Sequence, residues 1–206
     1  MIVLLKFDWS ELVALERKIT LPVPGNSTFG TNSEVGPAHH EAELRIEASL
    51  EAIFISPGHD YWTQEGAGRM THGIQSVSQA ECVAGRGVRG DRYFEKRLNH
   101  KGQVTFIDAD VVDDLRGQFK LPQLPASILR RNLVIRGTTL ASLLGKTFSF
   151  QGVLFEGAQE CTPCQWMDRV IAPGAKNFLA DHFRGGLRAK ILTNGLIRVT
   201  NSLTSG

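Results

Sequence analysis

The strongest constraint on the fold is a stretch of alternating polar and apolar residues at positions 43–54, ELRIEASLEAIF. The apolar positions are Leu44, Ile46, Ala48, Leu50, Ala52 and Phe54, and charged or small polar residues stand between the first five of them. Successive side chains of a β-strand point to opposite faces, so a period of two is typical of a strand with one buried face. We therefore predict a strand here and the start of the folded domain at residue 42.

The residues before this strand have a different composition. Residues 9–19 place apolar side chains on one helical face, with Ser10 able to cap it, which predicts a short helix. Residues 21–40 then collect Pro, Gly, Ser and Asn, a composition that cannot bury enough apolar surface to order itself alone. We interpret residues 1–41 as an N-terminal extension and linker, and residues 42–206 as the domain.

Further short apolar runs follow, separated by glycine-rich turns. Strands are predicted at 75–83, 103–107, 132–136, 146–150 and 153–157, and two more around Asn194-Gly195, a dipeptide that favours a two-residue hairpin turn. Short helices are predicted at 108–119, 138–145 and 174–186, the first capped by Asp108 or Asp110. Many short strands with few helices indicate a mainly β fold, a closed or nearly closed β-barrel with a few short helices in the connections.

Charge and composition exclude several classes of function. The chain has 23 basic and 21 acidic residues among 206, a balance too even to indicate nucleic-acid binding, so any anion site must be local. No apolar run approaches the length of a membrane span, and the N-terminus lacks the pattern of a signal peptide. The three cysteines cannot all pair. These features predict a protein of the reducing cytoplasm, without nucleic-acid or membrane partners.

Two of the cysteines, Cys161 and Cys164, form a Cys-x-x-Cys pair in the sequence ECTPCQWMD. This spacing suits a redox disulfide, half of a zinc site, a soft ligand for another metal, or two packed core residues. A zinc site needs four ligands, and the remaining Cys and His residues include no second pair at finger spacing. The redox and packing interpretations stay open on the sequence alone.

Two arginine-containing segments could bind an anion. The segment GRGVRGDRYF, at 85–94, offers the rigid donor fork of Arg92 beside flexible glycines, although a bulged strand end with a salt-bridged Asp-Arg pair is the better explanation of the segment taken alone. In LRRNLVIRG, at 129–137, strand alternation would put Arg130 and Asn132 on one face and Arg131 on the other. Arg130 beside an amide could clamp an oxyanion, and a solvated strand end is the alternative.

Taken in order, GVRGDRYF, VTFIDADVVDDL, the run from LRRNLVIRG to VLFEG, CTPCQWMD and RGGLRAKILTNG resemble the successive blocks of the MOSC domain, the C-terminal domain of molybdenum cofactor sulfurase. The resemblance covers residues 46–200 in collinear order. It implies a β-barrel of the MOSC type, which is similar to the pyruvate-kinase barrel. It also implies binding of a pterin-molybdenum cofactor whose metal is held by a cysteine thiolate.

The resemblance also implies roles for individual residues. The metal-binding cysteine of the family matches Cys164, the last residue of Thr162-Pro163-Cys164, and Thr162 would lie beside the metal. The Arg-x-Asn that contacts the cofactor in relatives matches Arg130 and Asn132. Asp91 and Arg92 match a block that borders the same pocket. Cys161 receives no role from the resemblance.

The function expected from the resemblance is that of an oxidoreductase that reduces N-hydroxylated substrates, with Cys164 as its catalytic residue. Electrons would come from a separate reductase, since the sequence shows no flavin, haem or iron-sulfur motif. The pyridoxal-phosphate domain of the sulfurase has no counterpart in this chain. The alternative is a non-enzymatic carrier, in which Cys164 holds sulfur as a persulfide or the domain passes its cofactor to an acceptor enzyme.

Overall fold

The computed structural model describes residues 44–59 and 72–200, which form eleven strands and three α-helices in that part of the chain. The strands are β1 (Leu44–Arg45), β2 (Ser49–Ile55), β3 (Gln75–Val77), β4 (Gln79–Val83), β5 (Gly87–Val88), β6 (Val104–Asp108), β7 (Leu133–Arg136), β8 (Thr147–Phe150), β9 (Val153–Glu160), β10 (Leu187–Ile191) and β11 (Gly195–Arg198). The helices are α1 (Ala109–Gln118), α2 (Trp166–Val170) and α3 (Ala175–Ala180), and single 3₁₀ turns form at Ala126–Leu129 and Leu140–Leu143. The mainly β fold with a few short helices is confirmed; the predicted extension at 1–41, with its helix at 9–19, lies outside the described residues.

The strands form two sheets. The larger has the order β1-β8-β9-β10-β6-β7-β2-β3, and the smaller has the order β11-β4-β5. The pairs β1/β8 and β6/β7 are parallel, whereas the other pairs are antiparallel. Helix α1 makes the crossover between the parallel neighbours β6 and β7, as such a connection requires.

Neither sheet closes on itself within residues 44–59 and 72–200, so the prediction of a closed or nearly closed barrel is corrected. Closure would need β3 to pair with β1, but both remain sheet edges. The strand predicted at 75–83 is interrupted at Ser78, and the chain then continues as β4 in the smaller sheet. Beyond the end of β11 single backbone bonds still link the segments, from Val199 N to Ser78 O and from Thr200 N to Leu50 O. The result is two open sheets around a shared core.

Strand β2 shows why the simple alternation of the sequence is not kept. A bulge shifts the pairing with β7 between Leu50 and Ala52, and a one-residue shift exchanges the two faces of a strand. Leu50 and Ile53 are therefore both fully buried in the core between the sheets. Ala52 and Phe54, which the alternation places on the same face as Leu50, pack instead against a second core under the helices. Both faces of β2 are covered.

The core between the sheets contains a cluster of three phenylalanines, each fully buried. Phe106 meets Phe148 and Phe155 edge to face, with ring centroids 5.9 and 5.4 Å apart, and Phe148 stacks on Phe155 at 5.6 Å. Such pairs add roughly 0.5 to 1.5 kcal/mol each beyond the burial of their area. The cluster ties β6, β8 and β9 together, and β6 and β9 lead into the candidate site.

Helix α1 forms as the sequence predicts. The side chain of Asp108 accepts a hydrogen bond from Asp110 N at 2.9 Å, which identifies Asp108 as the N-cap. Val112 and Leu115 are buried against the second core. The predicted helices at 138–145 and 174–186 are present as a 3₁₀ turn and as α3. None of the helices in the described residues has the length and apolarity needed to cross a membrane.

The prediction of a hairpin at Asn194-Gly195 is wrong. β10 and β11 lie in different sheets and do not pair with each other. Neither residue has the positive φ that a type I′ turn requires. Instead the Asn194 side chain accepts a hydrogen bond from Ala84 N at 2.8 Å. A Cβ at Gly195 would lie 2.5 Å from Val153 Cγ2, so the glycine permits close packing rather than a turn.

Gly157 offers a test of the packing between β9 and the turn at 140–143. A Cβ at this position would lie 2.1 Å from the backbone oxygen of Leu143, which cannot move aside as a side chain can. Gly157→Ala is expected to lower the free energy of unfolding by about 2 to 4 kcal/mol in urea denaturation. Gly117→Ala in α1 is the control, because nothing lies within 4 Å of its Cβ, and it should stabilise by about 0.5 to 1 kcal/mol. Equal effects of the two substitutions would contradict the close approach.

Candidate functional site

The Cys-x-x-Cys segment connects the end of β9 to α2. Its residues alternate in burial: Cys161 and Pro163 are buried, whereas Thr162 and Cys164 are exposed. Cys161 N donates to Gly186 O at 2.8 Å. A Cβ at Gly185 would lie 2.0 Å from Cys161 O, so only glycine allows the two segments to pack this closely. The start of the motif is thus fixed against the segment that enters β10.

An open cleft with about 580 Å³ of empty space lies beside this segment. Both cysteines and Thr162 line it. Four arginines line it as well, namely Arg92, Arg130, Arg131 and Arg188. No Asp or Glu is among its described lining residues. The sequence required any anion site to be local, and this cleft concentrates positive charge in a protein whose overall charge is nearly balanced.

Arg92 is held from two sides. Its Nη1 lies 3.3 Å from Asp91 Oδ2, and its Nη2 donates to Arg130 O at 3.2 Å. The side chain is only 7% exposed, and its buried Nε has no acceptor among the described residues. A buried donor without an acceptor costs free energy, about 1 to 3 kcal/mol. This atom is therefore a candidate contact for an anionic ligand.

The two neighbouring arginines are oriented by backbone carbonyls. Arg130 Nη2 donates to Gly58 O at 2.9 Å, and Arg131 donates to Gly185 O and Leu129 O, both at 2.8 Å. Carbonyl acceptors fix a guanidinium group without neutralising its charge. Both guanidinium groups therefore line the cleft in defined orientations.

The predicted separation of Arg130 and Arg131 onto opposite strand faces does not hold, because both line the cleft. Arg130 ends the 3₁₀ turn with φ 56° and ψ 34°, and β7 begins only at Leu133. Strand alternation therefore does not apply to this pair. Left-handed backbone in a residue other than glycine is strained and clusters at functional sites.

Asn132 lies behind the arginines, outside the residues that line the cleft, and its amide is fully engaged. Its Oδ1 accepts from Thr105 N at 3.1 Å and Thr105 Oγ1 at 2.9 Å. Its Nδ2 donates to Phe54 O and to Asp91 Oδ2, both at 3.1 Å. The structure thus places Asn132 where it supports the cleft through Thr105, which does line it.

Asp91 is the centre of this buried network. Its side chain is fully buried. It accepts hydrogen bonds from Ser56 N at 3.2 Å and from Tyr93 N at 3.1 Å, in addition to its contacts with Arg92 and Asn132. The carboxylate therefore joins β2, the 85–94 segment and the residue before β7. Like Asn132, it holds the cleft from behind and does not line it.

Tyr93 and two histidines lie at the same site. The Tyr93 ring stacks on His100 with centroids 5.7 Å apart and meets His59 edge to face at 5.3 Å. Burial lowers the pKa of His59 to about 4, helped by the positive charges of Arg92, Lys96 and Arg130. His59 is thus neutral at physiological pH; burial is the main cause of its low pKa, and the nearby positive charges lower the pKa further.

The third cysteine belongs to the core. Cys82 is fully buried between the sheets, and burial raises the pKa of its thiol to about 12. Residues 161–164 form neither a turn nor a bend, so the two other cysteines are not presented as a compact Cys-x-x-Cys loop. Within residues 44–59 and 72–200, no three His, Cys, Asp or Glu side chains group as metal ligands.

Three basic residues of the cleft were not predicted as site residues from the sequence: Arg131, Arg188 and His100. For Arg188 a signal was present, because Leu187, Ala189 and Ile191 alternate with Arg188 and Lys190 and are all buried. This pattern places Arg188 on the face away from the core between the sheets. For Arg131 and His100 the sequence offers no such pattern, since both lie in irregular segments.

Removing the Asp91 carboxylate tests the network. Asp91→Ala would leave the Arg92 guanidinium and the Asn132 amide buried without this acceptor, and we expect the free energy of unfolding to fall by about 3 to 5 kcal/mol in urea denaturation. Glu81→Ala is the control, because the Glu81–Arg89 pair is exposed, and it should leave the midpoint nearly unchanged. A loss for Asp91→Ala no larger than that of the control would contradict its central role.

The positive potential can be measured at His59. Its pKa of about 4 lies below the ordinary value of 6.5, so the unfolded chain binds this proton first. The contribution to stability is therefore complete above pH 6.5 and is lost as the pH falls toward 4. Removing one nearby cation, as in Lys96→Gln, should raise the pKa of His59 in an NMR titration. Lys101→Gln, a charge that does not act on His59, should leave it unchanged; a wild-type midpoint near 6.5 would refute the assignment.

Comparisons with known proteins give the family. A family model for the MOSC domain matches residues 91–204, and a search of curated proteins finds no match. The YuaD protein from Bacillus subtilis is similar in structure, with 16% identity and a TM-score of 0.54 over 74% of this chain and 91% of that chain. YiiM from Geobacillus stearothermophilus has 14% identity and a TM-score of 0.54 over 74% and 71%. At these identities the two structures support the fold alone, but the family model spans more than half of the sequence, and the chain therefore belongs to the MOSC domain family.

Proposed function

We propose that the cleft binds a pterin-molybdenum cofactor with Cys164 as the protein ligand of the metal, and that the loaded protein reduces N-hydroxylated compounds. One observation carries the proposal. An exposed cysteine lies in a cleft lined by Arg92, Arg130 and Arg131 and by no carboxylate among the described residues. A soft thiolate suits molybdenum, and guanidinium groups suit a phosphate.

The residues present fit such a cofactor. Arg130 and Arg131 line the cleft in orientations fixed by backbone carbonyls, and Arg92 has a buried Nε without an acceptor in the described part of the chain. A phosphate-bearing pterin would supply the acceptor that this Nε lacks and would attract all three guanidinium groups. Thr162, exposed two residues before Cys164, would lie beside the metal. Asp91 and Asn132 would act as positioning residues that hold the arginines and Thr105 in place.

When bound, the cofactor supplies two-electron redox chemistry. The protein binds it, orients it and shields it from competing reactions. Reduction of an N-hydroxylated amidine breaks the N–O bond, takes up two electrons and two protons, and releases water. We propose that a separate reductase protein delivers the electrons. The openness of the cleft and the exposure of Cys164 fit a site that both a substrate and a partner protein can approach.

The exposure of Cys164 also supports a second candidate, a carrier. A thiol that reaches solvent can take the outer sulfur of a donor persulfide, which leaves as a thiol, or can release its cofactor to an acceptor enzyme, without any reductive turnover. Cys161 is only 2% exposed and does not offer such access. Both candidates use the same thiol, so they differ in what it carries.

Molybdenum content tests the proposal directly. Protein purified from a host that makes the cofactor should contain close to stoichiometric molybdenum by mass spectrometry of the metal. Cys164→Ala should lose most of it, because the thiolate ligand is gone. Cys161→Ala is the matched control and should largely keep it, since that side chain is buried.

Three other outcomes of these measurements would refute or change the proposal. Absence of molybdenum from the wild-type protein under these conditions would refute the cofactor proposal. A labile sulfur adduct on Cys164 in the intact mass, without reductase activity, would favour the sulfur carrier. Equal metal loss in both cysteine variants would argue against Cys164 as the specific ligand.

A further inference from the structure

We propose that Arg188 and His100 form an anion-binding subsite of the cleft, and that the preferred substrates carry a carboxylate or a similar anionic group. This inference rests on the proposed function and deepens it by naming the substrate class. The subsite is built from β10 and from the segment before β6, apart from the 3₁₀ turn and the cysteine segment.

The position of Arg188 follows from the strand pairing. Arg188 lies directly opposite Thr105 of β6, and residues opposite each other in an antiparallel pair share one face. Thr105 lines the cleft, and Arg188 does so too. Its neighbours Leu187 and Ala189 are fully buried in the core between the sheets. The strand therefore presents the guanidinium on the cleft side.

Arg188 differs from the other three arginines in its contacts. Arg92, Arg130 and Arg131 are each fixed by hydrogen bonds to carbonyl or carboxylate oxygens. The half-buried guanidinium of Arg188 forms no hydrogen bond or ion pair within the described ranges. Three arginines thus have fixed orientations that suit one rigid ligand. The side chain of Arg188 can adjust to ligands that differ in shape.

His100 lies close to Arg188 and offers a second donor. A Cβ at Gly102 would lie 3.3 Å from His100 Cε1 and 3.5 Å from Arg188 Cδ, so the two side chains flank this glycine. His100 Nδ1 accepts a hydrogen bond from Gly102 N at 3.0 Å. A backbone N–H can only donate, so the neutral ring carries its proton on Nε2. Guanidinium and imidazole N–H groups together suit a carboxylate.

The test compares a neutral and an anionic substrate of the same shape, benzamidoxime and 4-carboxybenzamidoxime, reduced by the molybdenum-loaded protein with a reduced viologen as electron donor. Arg188→Gln should lower kcat/KM for the carboxylate by roughly tenfold or more, the effect of losing one charge-assisted contact. It should leave kcat/KM for benzamidoxime and the molybdenum content nearly unchanged. Arg188→Lys should recover part of the loss, and Arg198→Gln, an exposed arginine outside the cleft lining, is the matched control.

A binding measurement separates this inference from the proposed function. The amidine products, benzamidine and 4-carboxybenzamidine, are titrated calorimetrically into the purified protein, which needs no turnover. Weaker binding of the carboxylate alone in Arg188→Gln supports the subsite even if no reduction is seen, in which case only the proposed activity fails. Equal loss for both compounds, no preference of the wild type for the carboxylate, or loss of molybdenum in Arg188→Gln would overturn the subsite.

Discussion

The candidate site depends on one buried carboxylate, that of Asp91. A fully buried carboxylate needs partners for its oxygens, and Asp91 finds them in two backbone N–H groups, a guanidinium and an amide. These partners come from three separate parts of the chain. The arginine segment before β7, the glycine-rich segment at 85–94 and the end of β2 are thereby held in one arrangement. Arginines carry the positive charge that faces the cleft. The negative charge of Asp91, which organises the site, is buried behind them.

Backbone groups position the other arginines and the cysteine segment of the cleft. Hydrogen bonds to backbone carbonyls orient Arg130 and Arg131. Gly185 lets the cysteine segment pack against the entry to β10, and Gly186 lets that entry pack against Phe106 of β6. The fold therefore combines one exposed thiol with a cationic surface that is built from irregular segments and from Arg188 of β10.

Local periodicity and capping predicted much of the fold, whereas the long-range arrangement required the structure. Asp108 was a predictable cap, and the β content followed from alternation. The bulge in β2, the separation of β10 from β11 and the left-handed backbone of Arg130 all depend on contacts between distant segments, which no local pattern contains. Cys164 could be named only through the order of the sequence blocks, since spacing alone treats the two cysteines of the motif alike. The position of Arg188 in the cleft lining became evident only from the pairing of β10 with β6.

The link between Cys161 and Gly186 has a consequence for how such a protein can diversify. Because β9 and β10 are adjacent and antiparallel, the chain leaves the sheet at Cys161 and returns at Gly186, almost the same point. Residues 162–184, with α2 and α3, form an excursion closed at its base. Four residues of this excursion, Trp166, Met167, Ala175 and Leu179, pack in the second core against Ile107 of β6 and Val134 of β7. Changes among its exposed residues need not disturb the sheets, and Cys164 stands near its start. Evolution can therefore reshape the surroundings of the thiol while the scaffold beneath it stays the same.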